Sequence, residues 1–542
     1  MNHTIPYSEF YPPKSFVIDY LDGRNLTKFL PFHFSDFDAY QKIAKQLSHR
    51  SFPRKLISEA LLEQNKLFDS GDLTLDNIES LKDSESFVVV GGQQTGLFGG
   101  PLYTLYKAIT VIKLADSLSK KTGRIVLPIF WMASDDHDFA EVNHINLLSL
   151  SGQVEQISYS GEDNGKIPIS ARNLSTDIED NFKLLKSHLP ETEFRTSILD
   201  RLESAYQKNN YFADSFAIWL QHVLRDYGLI VINPSDKKFK QIAIPLFQKE
   251  IEEESPVSKA VIDQTEALVK LGYTPQLQLK GGLLNLFYHN PEREIIAISN
   301  GNLVFKDSQK QYSKSELVQI LCEHPEQFSP NAALRPLFQD TLFPTLAIVL
   351  GPSELAYFAQ LKKAYDCMDV IMPIAFPRTS VTLIEPKTEK ILRKYHLTIQ
   401  DIFQQRTRII NLVAEREIPK SMFSSIDDGE KVVAKIWQEL VEIANQFDQN
   451  LKKPAEIAKG RSANQFDFLR KKLMQAARQK DETLKSQMQK LVNSVYPNNA
   501  PQERVFNLLP FYVRYGEQFI KILFEQIDIF NSNHQLINLK SN

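Results

Sequence analysis

Only two cysteines, Cys322 and Cys367, occur among 542 residues, and they form no CxxC pair. That excludes a disulfide framework and a cysteine-rich zinc site, and it points to a reducing compartment in which both thiols act as small buried residues. Neither sign of charge is in excess: 63 lysines and arginines face 66 aspartates and glutamates, so the net charge is only −3. Bulk electrostatics therefore advertise neither nucleic acid nor an anionic membrane. No uninterrupted apolar run is long enough to cross a bilayer. The opening MNHTIPYSEFYPPKSF lacks a basic n-region and an apolar h-region, so no signal peptide is read there and the expected location is cytoplasmic. Several signatures are missing as well. No Gly-Lys-Ser/Thr closes a Walker loop, no dinucleotide fingerprint occurs, and His137 and His144 lack zincin spacing. No structural zinc is expected.

What is present is an ordinary globular composition, 42% apolar and 24% charged, in a chain long enough for two or three domains. Residues 1–80 read as helical, with DFDAYQKIAKQL and RKLISEALLEQNKLF as amphipathic candidates. An α/β pattern fills 81–385, interrupted at about 273–306 by alternating apolar residues and Gly-Gly, Asn-Pro and Asn-Gly turns, the marks of a small antiparallel meander. Residues 386–500 are long polar helices, and 501–542 read as a helical tail returning to the core. In KVVAKIWQELVEIANQF, Val433, Ile436, Leu440, Ile443 and Phe447 form a heptad seam; a second helix follows a proline- and glycine-containing linker, LKKPAEIAKGRS. An antiparallel coiled coil and a compact helical subdomain both satisfy this pattern.

The chemistry concentrates in three places. First, the apolar run Phe87–Val90 stops at a loop carrying Gly91, Gly92, Gly96, Gly99 and Gly100, with Gln93 and Gln94, before a helix. Such a loop either brings backbone amides up to a phosphate or is a tight turn whose glycines are steric. Second, the run Ile125–Trp131 empties into Asp135-Asp136-His137-Asp138. Carboxylates beside an imidazole bind a divalent metal, orient a proton shuttle or hold an ammonium group; the alternative is a solvated turn with Asp138 as a helix N-cap. Third, SPNAALRPLFQDTLFPTLAIVLGPSELAYFAQL repeats the strand, glycine loop, helix order. It offers Asn331, Arg335, Asp340, Gly351 and Glu354, with Arg378 following in FPRTS. Arg335 and Arg378 suit carboxylates or phosphates, although Arg335 with Asp340 also reads as a structural ion pair. In an open parallel sheet all these loops belong at the carboxyl edge, where such folds bind ligands.

Together, GGQQTGLFGGPLYTLYKA, PIFWMASDDHDFAEVNH, the third cluster, FPRTS and PQERVFN resemble the bacillithiol biosynthesis cysteine-adding enzymes, the BshC family of cysteine ligases, over essentially the whole chain. Asp135 departs from the glutamate expected in much of that family, but the carboxylate is kept. The resemblance implies a Rossmann-like core related to class I nucleotidyltransferases, with connecting-peptide insertions, and a C-terminal coiled coil supporting a homodimer. It implies amide formation between cysteine and the amino group of glucosaminyl malate; because that bond is uphill in water, ATP is expected to activate the carboxyl, and magnesium is expected with it on chemical grounds alone. The HIGH and KMSKS signatures of class I synthetases are absent. On this reading Gly92–Gly100, Gln93 and Gln94 cradle phosphates or a carboxylate, Asp136, His137 and Asp138 hold the amines with His137 as proton acceptor, and Arg335 and Arg378 take carboxylates. Two rivals are a nucleotide-dependent transferase of other specificity and a non-catalytic coiled-coil scaffold.

Overall fold

The β-branched run Val88–Val90 lies wholly out of water in the middle of a five-stranded sheet, as a strand covered on both faces must. The computed structural model describes residues 4–539 apart from 11–14, 162–164, 291, 406–408, 410–412, 414–417 and 480–481. Two units emerge: Asn2–Ile384 joined by Ala500–Leu539, and Glu385–Asn499.

In the larger unit, β1 (Phe87–Gln93) leads into α1 (Leu102–Thr122), which a left-handed Gly123 ends. Then come β2 (Val126–Met132), β3 (Ile230–Ile232), β4 (Thr345–Leu350), α2 (Pro352–Phe358) and β5 (Ile374–Pro377). The spatial order is β5-β4-β1-β2-β3, every pair parallel. Strand order reverses between β1 and β4, and the two glycine loops that follow those strands stand side by side at that switch point. The fold class is therefore a Rossmann-like α/β core. The meander is a second sheet of five strands, including Leu283–His289 and the antiparallel Arg293–Ser299. The predicted amphipathic segments near the N-terminus form helices at Phe37–Leu47 and Arg54–Leu67.

Two local expectations change. β1 continues through Gly91 and Gly92 instead of stopping at them. A Cβ on Gly91 would meet Val111 Cγ2 of α1 at 2.5 Å, and one on Gly92 would meet the Trp131 carbonyl oxygen at 2.8 Å, so close packing selects glycine there. Cys322 is exposed and Cys367 half-buried, so only the second resembles a packing residue.

The smaller unit contains a helical hairpin, α3 (Lys420–Phe447) and α4 (Lys452–Gln479), each of 28 residues and so about 42 Å long, joined at Gln449–Leu451. The predicted linker is the start of α4, because Pro454 falls in the first turn, where no amide is needed. Arg470 of α4 pairs with Asp427 and Glu430 of α3, and Phe466 packs on Gly429, which sets the antiparallel register. The predicted seam does not face inward as a set: Val433 is half-buried, whereas Ile436, Leu440, Ile443 and Phe447 are exposed. A further helix, α5 (Glu482–Val495), buries Leu484, Met488, Leu491 and Val495, so a compact helical part stands beside the coiled coil. Among the described residues no helix is long and apolar enough to cross a membrane.

The C-terminal segment is built into the larger unit. His534–Asn538 lies between Thr4–Ile5 and Val381–Ile384, and Gln502 hydrogen-bonds both backbone groups of Leu383. The buried His534 ring bonds Ser380 Oγ at 2.7 Å and Thr382 Oγ1 at 2.8 Å. Burial is the main cause that pushes its pKa down to about 4, so the folded protein holds a neutral imidazole. The unfolded chain, near 6.5, binds the extra proton across the interval between the two values, and stability must fall as pH drops from 6.5 to 4 by up to about 3 kcal/mol. Thermal unfolding midpoints measured across that window should show the fall, and His534→Gln should flatten it; an equal slope in the variant would overturn this account.

Candidate active site

Each core strand delivers a functional group as it ends. β1 gives Gln93 and Gln94, β2 gives Asp135 to Asp138, β3 gives Asn233 and Ser235, β4 gives Gly351 and Glu354, and β5 gives Arg378. These belong to one edge because the strands are parallel and in register.

At the switch point, Lys107 of α1 turns back toward the sheet. Its ammonium donates to the Gly92 carbonyl at 2.6 Å, to Gln93 Oε1 at 3.0 Å and to the Glu354 carboxylate. The lysine side chain is 1% exposed, and burial lowers its pKa against the opposing pull of Glu354. Glu354 also accepts the Gly351 amide at 2.7 Å. One buried cation therefore fastens the loop after β1 to the loop after β4.

The rest of the glycine loop is sealed. Residues 95–100 are buried, and the amides of Gly96, Gly99 and Gly100 donate to the carbonyls of Gln94, Gly96 and Leu97. Gly99 and Gly100 have positive φ of 92° and 68°, and Asn507 donates to the carbonyls of Phe98 and Gly100. These three amides are engaged within the turn, so Gly96 and Gly100 line a small cavity beside Gln94 without a free amide to offer, and Gly92, Gln93 and Gln94 are the more open part of the expected cradle.

The acidic knot is equally organised. Asp135 is half-buried, takes Lys240 at 2.5 Å and Ser235 Oγ at 2.7 Å, and Lys240 itself is 0% exposed. Burial pushes the Asp135 carboxyl up, but Lys240 outweighs it and holds the group below the usual range. Asp136 meets Gln94 and Arg293, each at 3.3 Å, and caps the His137 amide at 2.8 Å. Burial is again opposed, here by the His137 amide and Arg293, and the Asp136 carboxyl also ends below its ordinary value. Asp138 is exposed at the N-cap position of the single turn Phe139–Val142, where its side chain makes no capping bond.

Arg293 comes from the meander. Its guanidinium stacks on the Phe287 ring at 3.6 Å and donates to His137 Nδ1 at 2.7 Å. Guanidinium has no acceptor, so Nδ1 must offer its lone pair and the ring proton resides on Nε2. In this state His137 presents a donor on its open side, not the proton acceptor expected. His289, at the same hairpin end, bonds Ser329 Oγ at 2.6 Å; burial pushes it down to about 4.

Between the knot and the meander lies a cavity of about 290 Å³, lined by Trp131, Asp135, Asp136, Arg293, Asn331 and Arg335. Arg335 donates to the Tyr357 hydroxyl at 2.9 Å and has no carboxylate within 4.0 Å among the described residues. The Arg335–Asp340 ion pair therefore does not form. Asp340 is buried away from this cavity, accepts Tyr365 at 2.5 Å and Gln339 at 2.9 Å, and burial raises its pKa to about 6. Asn331 is fixed by Asn285 and caps the Ala333 and Leu334 amides. Trp131 Nε1 and Arg293 Nε are buried donors without an acceptor. Arg378 is buried, donating to Glu503 at 2.6 Å and to the Thr379 carbonyl at 2.8 Å, with both partners 4% exposed. That pair staples the tail to the core and withdraws Arg378 from the cavity. Lys240, His289 and Arg293 had no local signal in the sequence beyond the HNPER turn of the meander, which hinted at a loop end; Lys107 and Glu503 fall within the motifs GGQQTGLFGGPLYTLYKA and PQERVFN, without a role assigned to either.

A parallel five-stranded sheet with mixed charges gathered at its carboxyl edge defines a Rossmann-like α/β protein whose chain also carries a helical coiled-coil unit. Residues 2–379 match the model described as "Bacillithiol biosynthesis BshC, N-terminal Rossmann-like domain", and 381–539 match "Bacillithiol biosynthesis BshC, C-terminal coiled-coil domain". The chain belongs to the BshC family. It is 30% identical over 530 residues to a Salinibacter ruber protein named "Putative cysteine ligase BshC", covering 97% of this chain and 96% of that one. Proteins of the same name from Chlorobaculum tepidum and Bacillus velezensis are 32% and 29% identical, covering 93% and 97% of this chain and 91% and 98% of theirs.

The tautomer is directly measurable. Nitrogen-15 NMR of ring-labelled protein should show His137 with its proton on Nε2, and Arg293→Met should allow a mixture. A predominant Nδ1–H form in the unmodified protein would overturn the arrangement.

Proposed function

We propose that the chain joins cysteine to the amino group of glucosaminyl malate, with ATP activating the cysteine carboxyl. The cavity that sets Asp135 and Asp136 against Arg293 and Arg335 carries this reading. It complements a ligand with one amine and two carboxylates, and its two orphan donors await acceptors. Arg335 and Arg293 take the malate carboxylates, with Arg293 in the role first expected of Arg378. Asp136 holds the amine.

In the first step a carboxylate oxygen of cysteine attacks ATP, expelling pyrophosphate to give an acyl adenylate or ADP to give an acyl phosphate. The class I nucleotidyltransferase resemblance favours the adenylate. The glucosamine nitrogen then attacks the acyl carbon, loses a proton, and AMP or phosphate departs as the amide forms. When Arg293 turns to a malate carboxylate, His137 Nδ1 is released to receive that proton, so the base becomes available only with substrate in place. ATP is assigned to the crevice between β1 and β4, beside Gly92, Gln93, Lys107 and Glu354. Among the described residues no group of three or more His, Cys, Asp and Glu side chains suits a metal, so magnesium is assigned to the nucleotide phosphates.

The exposed row Ile436, Leu440, Ile443 and Phe447 on α3 supports a homodimer through the coiled coil, since a second copy would remove these side chains from water.

Purified protein incubated with cysteine, glucosaminyl malate, ATP and magnesium should yield bacillithiol by mass spectrometry only when all are present, and AMP or ADP would name the intermediate. No product from folded protein would refute the reading. Arg335→Met should raise KM for glucosaminyl malate ~10–100-fold, the worth of a hydrogen bond to a charged group, with a smaller effect on kcat.

A further inference from the structure

A second, smaller cavity lies beside Gln94. It has a volume of about 150 Å³, and its polar lining includes Gln94, Tyr103, Thr104, Glu141, His144 and Arg504. We infer that this cavity seats the α-amino acid substrate as a zwitterion, its ammonium on Glu141 and its carboxylate on Arg504. The inference rests on the ligase reading for the identity of that amino acid, but not for its chemical class.

Four observations converge. The volume equals about five waters' share of liquid, room for a small amino acid and too little for a nucleotide or an amino-sugar conjugate. Both charges are present on one rim, and Arg504 enters no ion pair among the described residues, unlike its neighbour Glu503, which is locked to Arg378. Its backbone is firmly placed, because Gln502 and Glu503 are bonded into the core on either side of Val381 to Leu383. The third observation is an orphan. Thr104 is 1% exposed, and its Oγ1 has no hydrogen-bond partner although it lines the cavity. A buried hydroxyl left without a partner is costly, and a ligand's polar group would satisfy it.

The fourth is the position of Gln94. Its amide donates to Glu141 Oε2 at 2.7 Å and to Asp136 Oδ2 at 3.3 Å, so one side chain that lines the smaller cavity also holds a carboxylate that lines the larger. Two substrates that must form a bond would lie on its two sides, and displacing this single side chain would bring acyl carbon and amine together. Glu141 and Arg504 also act on a common point. The Tyr103 hydroxyl, raised chiefly by burial, is pulled down by Arg504 and pushed up by Glu141.

Isothermal titration of the full-length protein with L-cysteine, L-serine and L-alanine, with and without ATP and magnesium, tests the assignment. Arg504→Gln, Glu141→Gln and Thr104→Val serve as variants, each checked for an unchanged unfolding midpoint. The expected result is L-cysteine binding weakened at least ~10-fold by the first two variants, with glucosaminyl malate binding unaffected. Cysteine binding that ignores Glu141 and Arg504 would overturn the site while leaving the ligase reading intact, and so would the failure of all three amino acids to bind. Binding of serine or alanine alone, dependent on both residues, would keep the site and remove cysteine as the substrate.

Discussion

An ammonium group shut away from water at the mouth of a parallel sheet has to be neutralised where it stands, and Lys107 meets that demand with partners drawn from two separate loops. The Gly92 carbonyl and Gln93 belong to the end of β1, and Glu354 belongs to the first turn after β4. Strand order reverses between those two strands, so the pair spans the one place where the sheet opens. If either partner moved, a buried charge would be left uncompensated. The geometry of both loops is thereby coupled, and through Gln93 and Gln94 the coupling reaches the acidic knot.

The same logic sorts the remaining charges into those that build the edge and those that face ligand. Asp135 with Lys240 and Arg378 with Glu503 are closed pairs, and each joins segments distant along the chain. Asp136, Arg293, Arg335, Glu141 and Arg504 are different in kind. They are partly exposed or incompletely matched, and they line two cavities that the Gln94–Asp136 hydrogen bond links. Pairing, more than burial, thus distinguishes scaffold from site among residues of identical chemistry.

Much of the scaffold was readable from pattern. The run Phe87–Val90, the run ending at Trp131 and the stretch Thr345–Leu350 are strands because each is apolar, contains β-branched or aromatic residues and is followed by turn residues. Their parallel arrangement then obliges the following loops to share an edge. The site was legible only where it stays close to those loops: Gln94, Asp136 and His137 are placed as expected, and Asn331 and Arg335 join them. Arg378 illustrates the limit. Its sequence context, just after a strand, is as suitable as that of Arg335, and only the docking of Glu503 from 125 residues away removes it. Glycine spacing misled in a similar manner, since amides that look available for phosphate are engaged inside a turn covered by Asn507.

By itself, then, the sequence determined what depends on neighbours along the chain: strand and helix periodicity, the coiled-coil helices, the acidic turn and the family to which the chain belongs. The tertiary structure alone decided which charges meet. Arg293 reaches His137 across 156 residues and Lys107 reaches Glu354 across 247, contacts that no local spacing encodes. The physical reason is that burial and pairing are properties of a packed volume. Identical side chains become scaffold or site according to what the fold folds down upon them.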